Sequence, residues 1–411
     1  MHELRALPVE VLERVAYEAV RTDTGPPAGL TSLLLVSRHV HDTLAGSILY
    51  ARLFCSSFDT DAIARRFGLL ERSTAAAELV KRFRALHAVR SGDYTVEHLW
   101  TIYLIALEDD GRNIRQLEWA NTAAVLESHA DTGVAPSETE EAALALGIRA
   151  ILSGGDRGTL QIAFGAHAYK ILLAPESRGD DDSETHAATA ADAGAGAGVT
   201  DASNSAAAAS RPRQRAIDTC GQRISLAVPP AALGAISLFC ESESAALGFP
   251  MKEPARSSLA CDADYYRLLK CTSPTAPGLS ADLLGGMLAG VWEGTFFFLD
   301  FDAYRDMLAG HPVRQAYAGQ RQLLRLKETG QDDTHITLSG SGHSAWGRFT
   351  VSGSVRIWDG LVTVHKTYVS RREAWTYQGY VLGRHRIVGR WRDVAPGAQT
   401  GYEGPFVLSR R

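Results

Sequence analysis

Two hydrophobic periodicities divide the chain. Up to about residue 287 the apolar positions recur every three to four residues, the spacing of one helix face. From about Leu288 they alternate with polar positions, the spacing of a half-buried strand. Leu7, Val11, Leu12, Val15 and Ala19 follow the helical spacing, with Pro8 at a first-turn position where its missing N–H is not needed. Gly25-Pro26-Pro27 breaks the chain, a second apolar run covers Leu30 to Val36, and a third element covers Leu44 to Phe54. Helices are predicted over 75–89, 96–107, 116–129 and 138–152, the last with a capping box from Ser137 and Glu140. Residues 158–173 fit helix or strand equally.

Eight strands are predicted beyond Leu288, over 291–299, 323–327, 335–338, 348–357, 361–369, 375–382, 385–391 and 405–409. Trp358-Asp359-Gly360-Leu361 carries the signature of a type I′ hairpin. Short strands in antiparallel succession point to a closed barrel or a sandwich, because closure removes unpaired edges. About eight strands enclose either a filled core or one small ligand site. The expected fold is therefore α+β and multidomain: a helical N-terminal segment (1–54), a helical middle (55–174), a linker (175–215), a connecting segment that packs on the barrel (216–287) and an antiparallel, calycin-like β-barrel (288–411). The linker holds Asp180-Asp181-Asp182 and then Ala, Gly, Ser and Thr repetition, too little apolar surface to offset its ordering entropy, so disorder is expected there.

At 411 residues, with 45% hydrophobic and 22% charged positions, the chain is of ordinary globular composition. Its net charge of −5 is too mild to suggest a nucleic-acid partner. The mean conceals a split, since residues 1–287 hold 26 Lys and Arg against 36 Asp and Glu, and residues 288–411 hold 16 against 11. Arg371-Arg372 and the arginines from 384 to 392 therefore suggest a barrel that favours an acidic target. No apolar run approaches a membrane span and Met1–Arg5 leads into no apolar leader, so no membrane partner is expected. The five scattered cysteines lack metal-ligand or disulfide spacing, which points to reduced thiols in the cytoplasm or nucleus.

The sharpest motif lies in the first 54 residues. They read Leu7-Pro8-Val9-Glu10-Val11-Leu12-Glu13-Arg14-Val15, then Leu33-Leu34-Leu35-Val36-Ser37-Arg38, then Ile48-Leu49-Tyr50-Ala51-Arg52-Leu53-Phe54. This resembles an F-box, whose pattern is Leu-Pro-x-Glu-Ile-Leu, a leucine-rich middle, Val-Ser/Cys-Arg/Lys and a closing Leu-Trp-x-x-Leu. Tyr50 stands in for the usual closing aromatic, and residues 21–29 lengthen the first loop. A trio of short helices has too little core to hide all its apolar residues, so some must be covered by another chain or by the next helices. The resemblance implies a Skp-family adaptor and, through it, a cullin–RING (SCF-type) ubiquitin ligase. Leu7, Pro8, Val11, Leu12, Val15, Leu34, Val36, Ser37, Leu49 and Leu53 would be the adaptor contacts.

The strand-rich end opens on Gly290-Val291-Trp292, a Gly-x-Trp of lipocalin type, in which the Trp closes the barrel base and a late arginine, here Arg390, Arg410 or Arg411, stacks on it. Gly290 to Thr295, Asp300 to Arg305, Gly340 to His343, Gly347 to Gly353 and Trp375 to Gly379 are similar to the C-terminal domain of many fungal F-box proteins. The implied architecture is a substrate receptor, with an adaptor dock at one end and a recognition module for a protein substrate at the other. Trp346, Arg348, Trp358, Trp375, Tyr377 and His343 are the candidate substrate contacts, since aromatics and arginine dominate binding hot spots. The competing reading is a lipocalin-like carrier of a small ligand, with the helices as scaffold. No zinc-protease, nucleophile-elbow or phosphate-loop motif occurs in the sequence, and no metal, cofactor or catalytic residue is expected. A receptor of this class acts by holding a substrate near a partner's chemistry.

Overall fold

The computed structural model describes residues 7–130, 139–152, 213–249, 251, 256–270, 272, 281–300, 318–370, 374–383, 386–393 and 402–411. Residues 175–212 of the expected linker and the ambiguous segment 158–173 thus lie outside the described residues, as does Ser137, whereas the linker's last two residues, Gln214 and Arg215, belong to a strand instead. Helix α10 (Glu140–Leu152) is capped by Thr139 instead, whose Oγ1 accepts from the Ala142 N–H at 3.2 Å.

The helices begin with α1 (Val9–Val20), α2 (Ala28–Leu34), α3 (Arg38–Leu44) and α4 (Ser47–Ser57). Pro8 stands just before α1, where its carbonyl accepts from the Val11 and Leu12 N–H groups at 3.0 and 3.1 Å. Ser37 caps α3, its Oγ accepting from the Val40 N–H at 3.2 Å. The third element predicted over 44–54 corresponds to α4, and α3 precedes it as a helix of its own. Residue 54 falls inside α4, and Leu49, Leu53 and Phe54 join the core of the helices that follow. Those are α5 (Asp61–Phe67), α6 (Arg72–Ser91), α7 (Val96–Leu107), α8 (Asn113–Trp119) and α9 (Thr122–Ala130). Asn121, at φ 52°, breaks the single helix predicted over 116–129 into α8 and α9. Helix α7 is buried at every position from Leu99 to Leu107, which makes it the centre of the helical part.

A hairpin unforeseen in the sequence, β1 (Gln214–Thr219) and β2 (Gln222–Ala227), packs on α6. Its two-residue turn, Cys220-Gly221, has both φ angles positive (52° and 74°), the type I′ geometry. The Trp358-Asp359-Gly360 turn is not of that type. Four residues separate its strands and only Gly360 is left-handed, while Asp359 accepts from the Arg356 guanidinium at 2.8 and 2.6 Å.

Helices α11 (Ala231–Ala246), α12 (Asp262–Lys270) and α13 (Ala281–Leu288) lead to the barrel. Its strands are β3 (Gly290–Asp300), β4 (Ala318–Gln331), β5 (His335–Ser344), β6 (Gly347–Arg356), β7 (Leu361–Tyr368), β8 (Ala374–Leu382), β9 (Arg386–Asp393) and β10 (Tyr402–Arg410). They form an antiparallel meander closed by β3 against β10, with Phe296 opposite Phe406 and Trp292 opposite Arg410. The fold is thus α+β, a helical part followed by a closed eight-stranded antiparallel barrel. Trp292 is fully buried at one barrel end, where its indole N–H donates to the Leu288 carbonyl at 2.8 Å. Arg410 is the register partner of Trp292, and instead of a described stacking contact its Nη1 donates to the carbonyls of Gly286 and Met287 in α13. Helix α13 therefore closes this end of the barrel.

Candidate functional site

Two regions hold the residues singled out from sequence: the outer side of the N-terminal helices and the barrel interior. On α1, Leu12, Ala16 and Val20 turn into the core, and the next stripe, with Pro8, Val11 and Val15, faces solvent. Leu35, 81% exposed, and Val36 follow α2, and Ile48 starts α4, also exposed. The implied adaptor contacts therefore separate into three groups. Pro8, Val11, Val15 and Val36 are open. Leu7, Leu34 and Ser37 are half-buried, with Leu7 and Leu34 packed on the helical core. Leu12, Leu49 and Leu53 are core residues, at most 4% exposed, and touch no solvent-side partner. Helical spacing marks apolar positions but not which stripe the following helices cover.

The barrel brings Trp346, Trp375 and Tyr377 together. Trp346, on the β5–β6 turn, packs edge-on against Phe296 (5.2 Å between centroids) and lies 6.3 Å from Trp375. Trp375 packs on Trp391 at 5.0 Å, and Tyr377 on Phe406 at 5.0 Å. These rings fill the barrel at this level. His343 and Arg348 do not join them. They are register partners on β5 and β6 and point outward into solvent. Trp358 lies on the β6–β7 turn at the opposite end, beneath the Arg356 guanidinium.

At the centre of the ring cluster lies a residue the sequence reading passed over, Lys366. It is 2% exposed, and its ammonium stands 4.2 to 5.5 Å from the centroids of Phe349, Phe296, Tyr368 and Tyr377. It donates to Gln322 Oε1 at 2.9 Å and reaches the Tyr377 hydroxyl at 3.5 Å. No carboxylate among the described residues pairs with it, and burial pulls its pKa down from 10.5 to about 7. Burial likewise pushes the Tyr377 phenol up, with Tyr368 adding to the effect. Two further buried donors, Gln322 Nε2 and Trp375 Nε1, have no hydrogen-bond partner among the described residues. The sequence held a usable signal: Val362, Val364, Lys366 and Tyr368 occupy one phase of the β7 alternation, the inward one.

The described arginines among those expected to make the barrel surface basic divide between burial and exposure. Arg386 and Arg390 are buried, Arg392 is exposed, and Arg371, Arg372 and Arg384 lie outside the described residues. Arg386 pairs with Glu241 of α11. No group of metal-ligating side chains occurs among the described residues, and no helix among them is long and apolar enough to cross a membrane.

No family model matches the chain, and no curated protein matches it. Among solved structures it is similar to EF1p2_mFAP2b bound to DFHBI, with 12% identity over 31% of this chain and 95% of that one, at a TM-score of 0.22. It is also similar to the S-type phycobiliprotein lyase CPES from Guillardia theta, with 10% identity over 32% of this chain and 93% of that one, at a TM-score of 0.21. Likeness at this level carries no functional weight.

Proposed function

We propose that the chain is a substrate receptor of an SCF-type ubiquitin ligase, docked through its N-terminal helices onto a Skp-family adaptor, with the barrel presenting the substrate. The observation that carries this reading is the apolar stripe Val11 and Val15, with Leu35, Val36 and Ile48, left open on helices whose own core is already filled. Exposed apolar side chains grouped on one short segment mark an interaction surface, and the F-box resemblance supplies the occupant. In this reading the receptor contributes proximity and the chemistry belongs to partner subunits.

The test uses solvent-side residues. Val11→Asp/Leu35→Asp in the full chain should abolish co-purification of a recombinant Skp-family adaptor while leaving the thermal transition in place. The core residues Leu12 and Leu49 are unsuitable, because a buried aspartate there unfolds the helices. Unchanged adaptor binding by the double variant would overturn the reading.

A second reading, a barrel that holds a small acid, is favoured by Lys366 and the two unpartnered donors beside it. It requires the ring cluster to make room. Dodecanoate should then quench the tryptophan fluorescence of the native chain but not of Lys366→Met, and the absence of quenching in the native chain would dismiss it.

A further inference from the structure

A groove of about 800 Å³ runs between the C-terminal half of α1, α4, α5 and the start of α6. Its volume is that of an ordinary ligand pocket. Four arginines line it, Arg21, Arg52, Arg72 and Arg112, and no carboxylate does. Phe54 and Ile63, each 1% exposed, close its base, and the half-buried Leu70 and Leu69, 95% exposed, form its accessible apolar side.

The four cations are not equivalent. Arg21 is paired with Glu18 at 2.6 Å. Arg52 lies over the Tyr17 ring at 4.2 Å, and Arg112 donates to the Cys55 carbonyl at 2.8 Å. Arg72 is exposed in the first turn of α6. None of Arg52, Arg72 and Arg112 has a carboxylate partner among the described residues. The described lining thus holds four guanidiniums and no carboxylate on a chain of net charge −5, with Glu18 beside Arg21 also acting on Arg52. A concave site with one sign of charge concentrates the opposite sign. Planar guanidiniums pair with carboxylates in bidentate fashion.

We propose that this groove binds a short acidic segment of a partner protein, its carboxylates on Arg52, Arg72 and Arg112 and a large apolar side chain against Leu69 and Leu70. The groove and the adaptor stripe share one residue, Ile48, whereas Val11, Val15, Leu35 and Val36 do not line the groove.

The test measures fluorescence polarisation of a labelled Glu-Glu-Leu-Glu-Glu-Leu-Glu-Glu peptide on the full chain at low salt, with the Lys-for-Glu peptide as control. Arg72→Glu is the principal variant, since an acidic residue suits the first turn of a helix and the fold should tolerate it. Arg52→Gln is the second. Each should weaken the acidic peptide by roughly fivefold or more, rising salt should weaken it further, and the lysine peptide should not bind. Equal binding of both peptides, absence of binding, or acidic binding that survives both variants would overturn the proposal. Two other results would reassign the groove and so overturn it as well. One is a gain in affinity on deleting residues 176–184, which would make the chain's own Asp180-Asp181-Asp182 run the occupant. The other is loss of Skp-family adaptor binding by Arg72→Glu, which would make the adaptor the occupant.

Discussion

Lys366 pays a desolvation cost that its surroundings only partly return. Cation–π contact with four rings and one hydrogen bond to Gln322 favour the ammonium, by about 0.5–2 kcal/mol for a good ring contact. Burial without a counter-charge outweighs them, since the pKa falls to about 7. Because the unfolded chain holds the proton up to 10.5, the penalty is fully present below about pH 7 and fades as pH rises toward 10.5. Lys366→Met should therefore raise the unfolding free energy at pH 7 by about 1–3 kcal/mol, with the gap closing in alkaline solution. Urea titrations at several pH values measure this. A variant that is less stable than the native chain at pH 7 would show that the ring contacts dominate. The same residue illustrates what the sequence holds locally: its inward phase on β7 was legible, but its four ring neighbours come from β3, β6, β7 and β8, and only closure assembles them.

At the scale of elements, β3 and β10 form the seam that closes the barrel. Gly294 makes that seam possible, because a Cβ there would lie 1.9 Å from the Val407 carbonyl oxygen. Gly294→Ala should cost more than about 2 kcal/mol in urea unfolding, or prevent folding, as overpacking against backbone does. Gly330→Ala, whose nearest neighbour is Thr337 at 3.9 Å, should stay within about 0.5 kcal/mol. Equal effects would remove the seam's close approach as the cause. All eight barrel strands were visible as alternation, because each has one face on a core. The β1–β2 hairpin was missed for the opposite reason. Gln214–Thr219 and Gln222–Ala227 alternate weakly, and the hairpin is held on α6 by Glu78, whose Oε1 accepts from the Cys220 N–H at 2.8 Å.

The helical part and the barrel meet through α11 and α12. Helix α11 sets Phe239 on Phe297 of the barrel's outer face, and α12 bridges both sides. Asp262 accepts from Arg66 at 2.6 Å and from Arg65 at 2.9 Å, both in α5. Two and five residues further along α12, Asp264 accepts from the Gly383 N–H and Arg267 donates to the Val381 carbonyl. Asp262→Ala leaves the buried Arg66 without its partner, a change that costs about 3–5 kcal/mol in comparable buried pairs. The expected outcome is a lower melting temperature, faster hydrogen exchange in α5 and α12, and separation of one calorimetric transition into two. A single transition at the native temperature would mean that α12 does not couple the two parts.

Read alone, the residues determined the helical and stranded halves, the number of barrel strands, the Trp292 base and the apolar N-terminal motif. All of these rest on local periodicity or on single side chains beside the backbone. Tertiary structure decided which apolar stripe is covered, since Leu12 and Val11 are neighbours in sequence and differ only in what α3 and α4 place against them. It also decided that Arg386 and Arg390 are buried, Arg386 against Glu241 of α11, and that a cationic groove forms on the helices. Burial and charge balance belong to surfaces assembled from distant segments, and no window of sequence contains such a surface.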